Sequence, residues 1–342
     1  LMIGDGMGLT QVSAALYSTK RSMNLERFQH IGFHKSYAAG ELITDSAAGA
    51  TAFACGIKTY NGSIGMNIDT IPQGNIIEEA EEKGLATGLV ATAFIVHATP
   101  AAFFAHQPIR VMHEQIAADL LKLDIDLLIG GGKKYFDRRE MDNRNLYEEL
   151  KQKGYVVSDY LTKELQQLSY SPNNKIAHFT ADRHPVPVTA GRSYLPYASR
   201  IAPRYLKGRA KENGFFLMIE GSQIDWAGHG NQADLMIAET LDFDRAIGEV
   251  LNFAKSDGNT LVIVTADHET GGLAINPGSE IGELKTEFTT NGHTATLVPV
   301  YAYGPGAENF KGIYENTAIY HKMRKLLNFD NRPAITQTNT DR

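Results

Sequence analysis

Six short apolar runs that do not alternate with polar residues constrain this chain most: Leu1 to Ile3, Leu85 to Thr92, Ile125 to Ile129, Phe215 to Ile219, Leu261 to Thr265 and Leu297 to Tyr303. A strand with one wet face alternates, whereas a strand covered on both faces does not. Runs this short, with helical stretches between them, predict strands of a largely parallel sheet. One intervening helix is explicit, because Phe243, Ala246, Ile247, Val250 and Ala254 recur at helical spacing and Gly258 follows as a stop. The expected fold is α/β: a three-layer α/β/α arrangement with a largely parallel central sheet. No Pro/Gly/Ser-rich linker or repeat divides the 342 residues, so one domain over 1–342 is expected. Loop-rich decoration is expected around 160–205, where Pro172, Pro185, Pro187 and Pro196 fall, and around 270–292.

Composition removes several classes of function. There are 33 basic and 39 acidic residues, a net charge of −6, and no lysine- or arginine-rich run, so the electrostatic footprint of a nucleic-acid binder is missing. No apolar stretch approaches the roughly 20 residues of a membrane span. The single cysteine, Cys55, excludes an internal disulfide and any paired-cysteine zinc motif. A transition metal would have to be held by histidine and carboxylate. Leu1-Met2-Ile3-Gly4-Asp5-Gly6 reads as a buried strand entering a glycine turn rather than a signal peptide, so the sequence is expected to begin inside its fold.

The residues just beyond each run carry the chemistry. Ile3 leads to Asp5, Thr92 towards His97 and Thr99, Ile219 to Glu220 and Asp225, and Thr265 to Asp267-His268. In a parallel sheet these groups converge on one carboxyl rim although they are far apart in sequence. One aspartate after a strand is ordinarily a turn former or cap. Four strand ends with metal-competent groups point instead to a site. Asp225 and His229, four residues apart, share one face of a helical turn, a spacing that also suits a plain surface ion pair. His293 stands in the polar loop Thr290-Asn291-Gly292-His293-Thr294, where nothing apolar explains an imidazole.

Ser46 opens a small-residue helical run that ends near Gly56. It suits an N-cap. The same geometry aims free backbone N–H groups and the helix dipole at its hydroxyl, which suits an alkoxide and a bound phosphate. No G-x-S-x-G elbow and no local Ser-His-Asp arrangement occurs, so activation by metal is the simpler reading.

Taken together and in order, Asp5-Gly6-Met7-Gly8, Thr44-Asp45-Ser46-Ala47, His97-Ala98-Thr99-Pro100, Glu220-Gly221-Ser222-Gln223-Ile224-Asp225 with His229, Thr265-Ala266-Asp267-His268 and Gly292-His293-Thr294 resemble the alkaline phosphatases. The match runs from one end of the chain to the other. The resemblance implies that fold and a metal-dependent hydrolysis of phosphate monoesters in which Ser46 becomes phosphorylated. It implies one zinc ion on Asp225, His229 and His293, and a second on Asp5, Asp267 and His268 with Ser46 completing its shell. A third ion, magnesium in many members, would take Asp5, Thr99 and Glu220. Arg110, thirteen residues after His97, stands where the family clamps phosphate, and its planar fork suits two phosphoryl oxygens. Members are often homodimers that act in the periplasm or outside the cell, with small phosphate esters and inorganic phosphate as ligands.

Two positions depart from one branch of that family. His97 stands where some members carry aspartate, and Trp226 where some carry lysine. His97 as a ligand would shift the third site from magnesium towards zinc or cobalt. Trp226 would line the pocket without charge, so product phosphate is expected to be held less tightly. Two other readings fit parts of the pattern: a related metallohydrolase acting on phosphodiesters or sulfates, and a catalytically inactive α/β protein that binds metals structurally. The Ser46 segment and Glu220 favour the monoesterase over the first, and an intact Ser46 with a full ligand set speaks against the second. His30, His34, His106, His113, His178, His184 and His321 match no motif and read as structural or surface residues. Met2, Met7 and Met218 read as core packing, and Lys133, Lys134, Arg138 and Arg139 as solvated faces.

Overall fold

The structure, a computed structural model, describes residues 1–331. Its strands in chain order are β1 (Met2–Gly4), β2 (His30–Lys35), β3 (Ala86–Phe94), β4 (Leu127–Gly131), β5 (Tyr155–Asp159), β6 (Lys175–Phe179), β7 (Phe215–Gly221), β8 (Val262–Thr265), β9 (Glu269–Thr270), β10 (Leu273–Ile275), β11 (Thr286–Phe288), β12 (His293–Thr294), β13 (Val298–Tyr303) and β14 (Gly312–Glu315). Ten of them form one sheet in the order β14-β2-β13-β8-β1-β7-β3-β4-β6-β5. Neighbours are parallel except where β13 pairs with β2 and β8.

The sheet is covered on both faces, which is why its central strands do not alternate. All nine residues of β3 and all five of β4 are buried. Successive residues of one strand enter different cores: Leu89 and Ile263 join Phe53, Phe103 and Phe136, whereas Val90 and Val264 join Phe243, Ile247 and Leu206. Two helical layers therefore sandwich the sheet, as the α/β/α expectation required. The helix Ala233–Asp257 ends at Gly258, which adopts a left-handed conformation (φ 73°). No helix among the described residues is long and apolar enough to cross a membrane.

Three expectations need correction. Residues 160–205 are rich in loop but are not mere decoration: they contain β6, an interior strand, and most of the helix Tyr194–Ala210. Prolines hid that helix. Pro196 falls in its first turn, where no N–H partner is needed, and Pro203 lies inside it while Leu195, Ala198, Ala202 and Leu206 still form a buried stripe. Residues 270–292 do hold only short two-stranded pairings. Next, β4 starts at Leu127, two residues into the apolar run, and continues to Gly131, and β2, β5, β6 and β14 had no run to announce them. Finally, Lys133 and Arg139 are not solvated. The Lys133 side chain, 13% exposed, pairs with Asp137 and Asp159, and that of Arg139, 1% exposed, grips Asp142 at 2.6 and 2.7 Å. Burial of these cations is offset by the nearby Asp137 and Asp142, three or four residues on, and by Asp159 at the end of β5.

Candidate active site

The middle of the sheet delivers the predicted residues to one rim. Asp5 follows β1, Glu220 is the penultimate residue of β7, His97 comes three residues after β3, and Asp267-His268 two residues after β8. His293 opens the two-residue β12 and precedes the sheet strand β13 instead of following one. Because β13 runs antiparallel, its amino end meets the carboxyl ends of the others, and the loop before it reaches the same rim. Gly6 makes room for this convergence. Its φ is +70°, and a Cβ there would lie 2.7 Å from Thr270 Oγ1 and 2.8 Å from Asp225 Cα.

Three groups of donor atoms result. In the first, His229 Nε2 lies 3.1 Å from His293 Nε2 and 3.4 Å from Asp225 Oδ2, and His293 Nε2 lies 3.5 Å from Asp225 Oδ1. In the second, His268 Nε2 lies 3.5 Å from Asp5 Oδ1, 3.3 Å from Asp267 Oδ2 and 3.3 Å from Ser46 Oγ, which is itself 3.5 Å from Asp5 Oδ1. Four donors placed tetrahedrally around zinc at its usual bond length stand about 3.3 Å apart. The pairs named in both groups, at 3.1–3.5 Å, have that spacing, and Ser46 Oγ has it from His268 and Asp5. His268 also comes within 4.8 Å of Asp225 and His293, but its Nε2 faces Asp5 and Asp267, so it belongs with them. The third group gathers Asp5, His97 and Glu220.

These atoms fit cations. Asp5 Oδ2, Asp267 Oδ2, both Glu220 oxygens, Thr99 Oγ1 and His97 Nδ1 are buried with no well-formed hydrogen bond among the described residues. Such atoms are costly unless something else completes them. Burial pushes Glu220 up to about 8 and Asp267 up to about 6, and raises Asp5 with help from the charges of Asp267 and Asp225. Burial would raise Asp225 too, but the hydrogen bonds of His229 and His293 hold it low. The hydrogen bond to Asp225 lifts His229 to about 9, while burial lowers His97 and His268. A self-repelling carboxylate cluster of this kind favours divalent ions.

Ser46 is the first residue of the helix Ser46–Cys55, and its cap is not Ser46 but Asp45. Asp45 Oδ1 accepts the Ala48 N–H at 2.9 Å, and Oδ2 pairs with Arg110 at 2.9 Å. The second guanidinium nitrogen of Arg110 lies 3.4 Å from His97 Nε2, so Arg110 bridges the Ser46 segment and the third group. Asn61, which sequence reasoning passed over, takes the Asp45 N–H at 2.8 Å and donates to Glu41 at 2.9 Å and to the Ile43 carbonyl at 3.0 Å.

Other missed residues orient the imidazoles. Nδ1 of His229 faces the Asn291 carbonyl at 2.6 Å, and Nδ1 of His293 the Thr44 carbonyl at 2.8 Å. Each carbonyl takes the Nδ1 proton and fixes the ring so that Nε2, the nitrogen that bonds Asp225, faces the group. Thr270 does the same for His268: its Oγ1 is 3.2 Å from His268 Nδ1 and donates to Asp225 Oδ1 at 2.5 Å. Thr270 directly follows Asp267-His268-Glu269, which was the one local signal for it. Trp226 packs edge-on against His184 at 4.4 Å and against His97 at 6.0 Å, so it flanks the third group. His184 and His113, read as structural or surface residues, both pack on Phe94 beside His97.

The alkaline phosphatase family profile matches residues 1–287 and 282–329. The chain belongs to the alkaline phosphatase family. Alkaline phosphatase 3 of Bacillus subtilis is 33% identical, with 96% of this chain and 88% of that protein covered. The Escherichia coli alkaline phosphatase is 30% identical over 96% of this chain and 85% of its own. The solved alkaline phosphatase of the Antarctic bacterium TAB5 superposes with a TM-score of 0.90 at 43% identity, covering 96% of this chain and 97% of that one. A histidine-to-aspartate variant of the TAB5 enzyme is described with magnesium bound in its M3 site, at a TM-score of 0.89.

Proposed function

We propose that this alkaline phosphatase family member hydrolyses phosphate monoesters through a phosphoserine at Ser46. Asp225, His229 and His293 would hold one zinc ion. Asp5, Asp267 and His268 would hold a second, with Ser46 in its shell. Asp5, Thr99 and Glu220, joined by His97, would hold a third ion, magnesium or one that tolerates nitrogen better, such as zinc or cobalt. The magnesium described in the TAB5 variant supports an ion whose identity depends on a histidine. When bound, the ions supply Lewis acidity, making the serine hydroxyl and water more acidic and taking up charge on the leaving oxygen.

The chain's own groups do the positioning. Arg110, steadied by Asp45, presents two N–H donors to two phosphoryl oxygens. The N–H groups of Ser46 and Ala47, free at the helix start, add positive potential there. Ser46 Oγ attacks phosphorus as the bond to the substrate alcohol breaks, which releases the alcohol and leaves a phosphate ester on the serine. Water then attacks the same phosphorus, the bond to Ser46 Oγ breaks, and inorganic phosphate and the free serine are restored.

The observation that supports this reading is that Ser46 Oγ lies at the spacing of zinc ligands from two donors of the second group, 3.3 Å from His268 and 3.5 Å from Asp5. The test is metal analysis with p-nitrophenyl phosphate hydrolysis for wild type and Ser46→Ala. The variant should keep its zinc and lose turnover by about three orders of magnitude or more. Preference for bis(p-nitrophenyl) phosphate would overturn the monoester assignment, and a metal-replete wild type without turnover would favour an inactive metal-binding protein. The family resemblance extends the proposal to one catalytic domain over 1–342, a homodimer, and a periplasmic or extracellular location.

A further inference from the structure

The buried carboxylates of this region are of two kinds. Asp5, Asp267 and Glu220 keep oxygens without well-formed hydrogen bonds. Glu269, 1% exposed and adjacent to His268, is saturated. Its Oε1 accepts from Gln11 Nε2 at 2.5 Å, from the Gly272 N–H at 2.9 Å and from the Leu273 N–H at 3.4 Å. Its Oε2 accepts from the Gly272 N–H at 3.2 Å and from the Thr294 hydroxyl. A carboxylate so occupied has no oxygen to offer a metal.

The donors come from three separate segments. Gln11 lies in the helix Leu9–Tyr17 that follows Asp5, Gly272 and Leu273 turn into β10, and Thr294 is next to His293. Gln11 Nε2 also donates to the Thr270 carbonyl at 2.7 Å. Gly8 leaves the space, since a Cβ there would lie 2.4 Å from Glu269 Cγ. The ladder that joins the two histidine segments is only two pairs long, His293 with Thr270 and Thr294 with Glu269. So short a ladder does not hold a loop in water by itself.

We propose that Glu269 is a positioning residue that locks the His293 loop onto β9 and thereby sets the zinc affinity of the Asp225, His229 and His293 group. The proposal rests on the zinc reading above. Its physical content is preorganisation: a charged acceptor shared by several buried donors fixes the loop before any ion arrives. Glutamine keeps one oxygen for Gln11 and Gly272, and its amide can donate to Thr294, whose hydroxyl proton then turns to Thr296 Oγ1, 3.0 Å away. Alanine keeps nothing.

Two measurements test this on wild type, Glu269→Ala, Glu269→Gln and Thr294→Val. One is zinc affinity by competition with a chromogenic chelator; the other is amide hydrogen exchange across residues 289–296 in metal-stripped protein. Glu269→Ala should bind one zinc ion about 10–100-fold more weakly and leave the other ions unchanged, and exchange should accelerate in that loop rather than chain-wide. Glu269→Gln should stay within about threefold of wild type, with Thr294→Val between the two. Unchanged affinity and exchange in Glu269→Ala overturns the proposal, as does a loss spread evenly over all ions and all amides. If Glu269→Ala does not fold, Thr294→Val carries the test, and wild-type behaviour in that variant overturns it. A wild type that binds no zinc would sink the functional reading alone, because loop exchange still decides whether Glu269 orders the His293 segment.

Discussion

Replacing Thr270 with valine removes a hydroxyl and keeps the branched shape. That oxygen stands between two candidate ligands, 2.5 Å from Asp225 Oδ1 and 3.2 Å from His268 Nδ1. A hydroxyl has one proton, and here the carboxylate takes it, so His268 must carry its own proton on Nδ1. Its Nε2 is then bare towards Asp5, Asp267 and Ser46. Valine strands a buried imidazole N–H, at a cost of about 1–3 kcal/mol, and withdraws from Asp225 a charged hydrogen bond worth about 1.5–3 kcal/mol. Water cannot substitute, because Thr270 and His268 are fully buried. His268 can relieve the strain by moving its proton to Nε2, but that is the nitrogen a metal needs. Zinc affinity should therefore fall about 10–100-fold, or about 1.4–2.7 kcal/mol. The assay is titration of metal-stripped enzyme with buffered zinc, following zinc uptake and p-nitrophenyl phosphate turnover. The half-saturation point should move by that factor while turnover at saturating zinc stays within about tenfold. Superimposable titrations of wild type and Thr270→Val would show that Thr270 does not set the tautomer.

Other perturbations probe separate parts of the molecule. His97→Asp adds a hard oxygen to the Asp5 and Glu220 group, so magnesium should activate the variant more than wild type at fixed zinc; an unchanged magnesium response and metal content would contradict that. Trp226→Lys places a cation beside the third group and should strengthen inhibition by phosphate, which competition against p-nitrophenyl phosphate measures; equal inhibition refutes it. Burial lifts Glu81 from its ordinary 4.5 to about 7, so the folded state binds a proton that the unfolded state has released, and stability should decline as pH rises through that window. Glu81→Gln retains an acceptor for the Asp124 N–H and should gain melting temperature on wild type between pH 5 and pH 8; an equal offset at both values refutes the assignment. Arg192→Met leaves the buried Glu239 and Asp242 without their shared cation and should cost about 3–5 kcal/mol in urea unfolding, whereas a loss below about 1 kcal/mol would mean that water reaches them.

Much of the site was legible because the sheet is parallel and covered on both faces. Period-free apolar runs marked β1, β3, β7 and β8, and the polar residue after each run had only one rim to reach. Asp225 and His229 needed only helical spacing. The rest depends on contacts that local pattern does not encode. β2 carries polar residues among its apolar ones, as suits a strand near the sheet edge. Arg139 looks solvated until the Glu114 carbonyl, 25 residues away, accepts one of its N–H groups. Ser46 and Asp45 can both cap a helix, and the choice of Asp45 goes with its contacts to Arg110 and Asn61, 65 and 16 residues away. Glu269 resembles a ligand beside Asp267-His268, and only its distant donors Gln11 and Thr294 show that it is not one.

The first strand of the chain lies in the middle of the sheet, with Met2 opposite Ile219 on one flank and Val264 on the other. During synthesis β1 has no strand partner until more than two hundred further residues have been made. Contacts this distant in sequence form slowly, since a long loop must close before they are rewarded. Asp5 and Ser46 emerge more than two hundred residues before Asp267, His268 and His293, so a partly made chain offers an ion too few donors to hold it. Metal capture thus comes after assembly of the sheet, and ion uptake during refolding should trail the recovery of secondary structure.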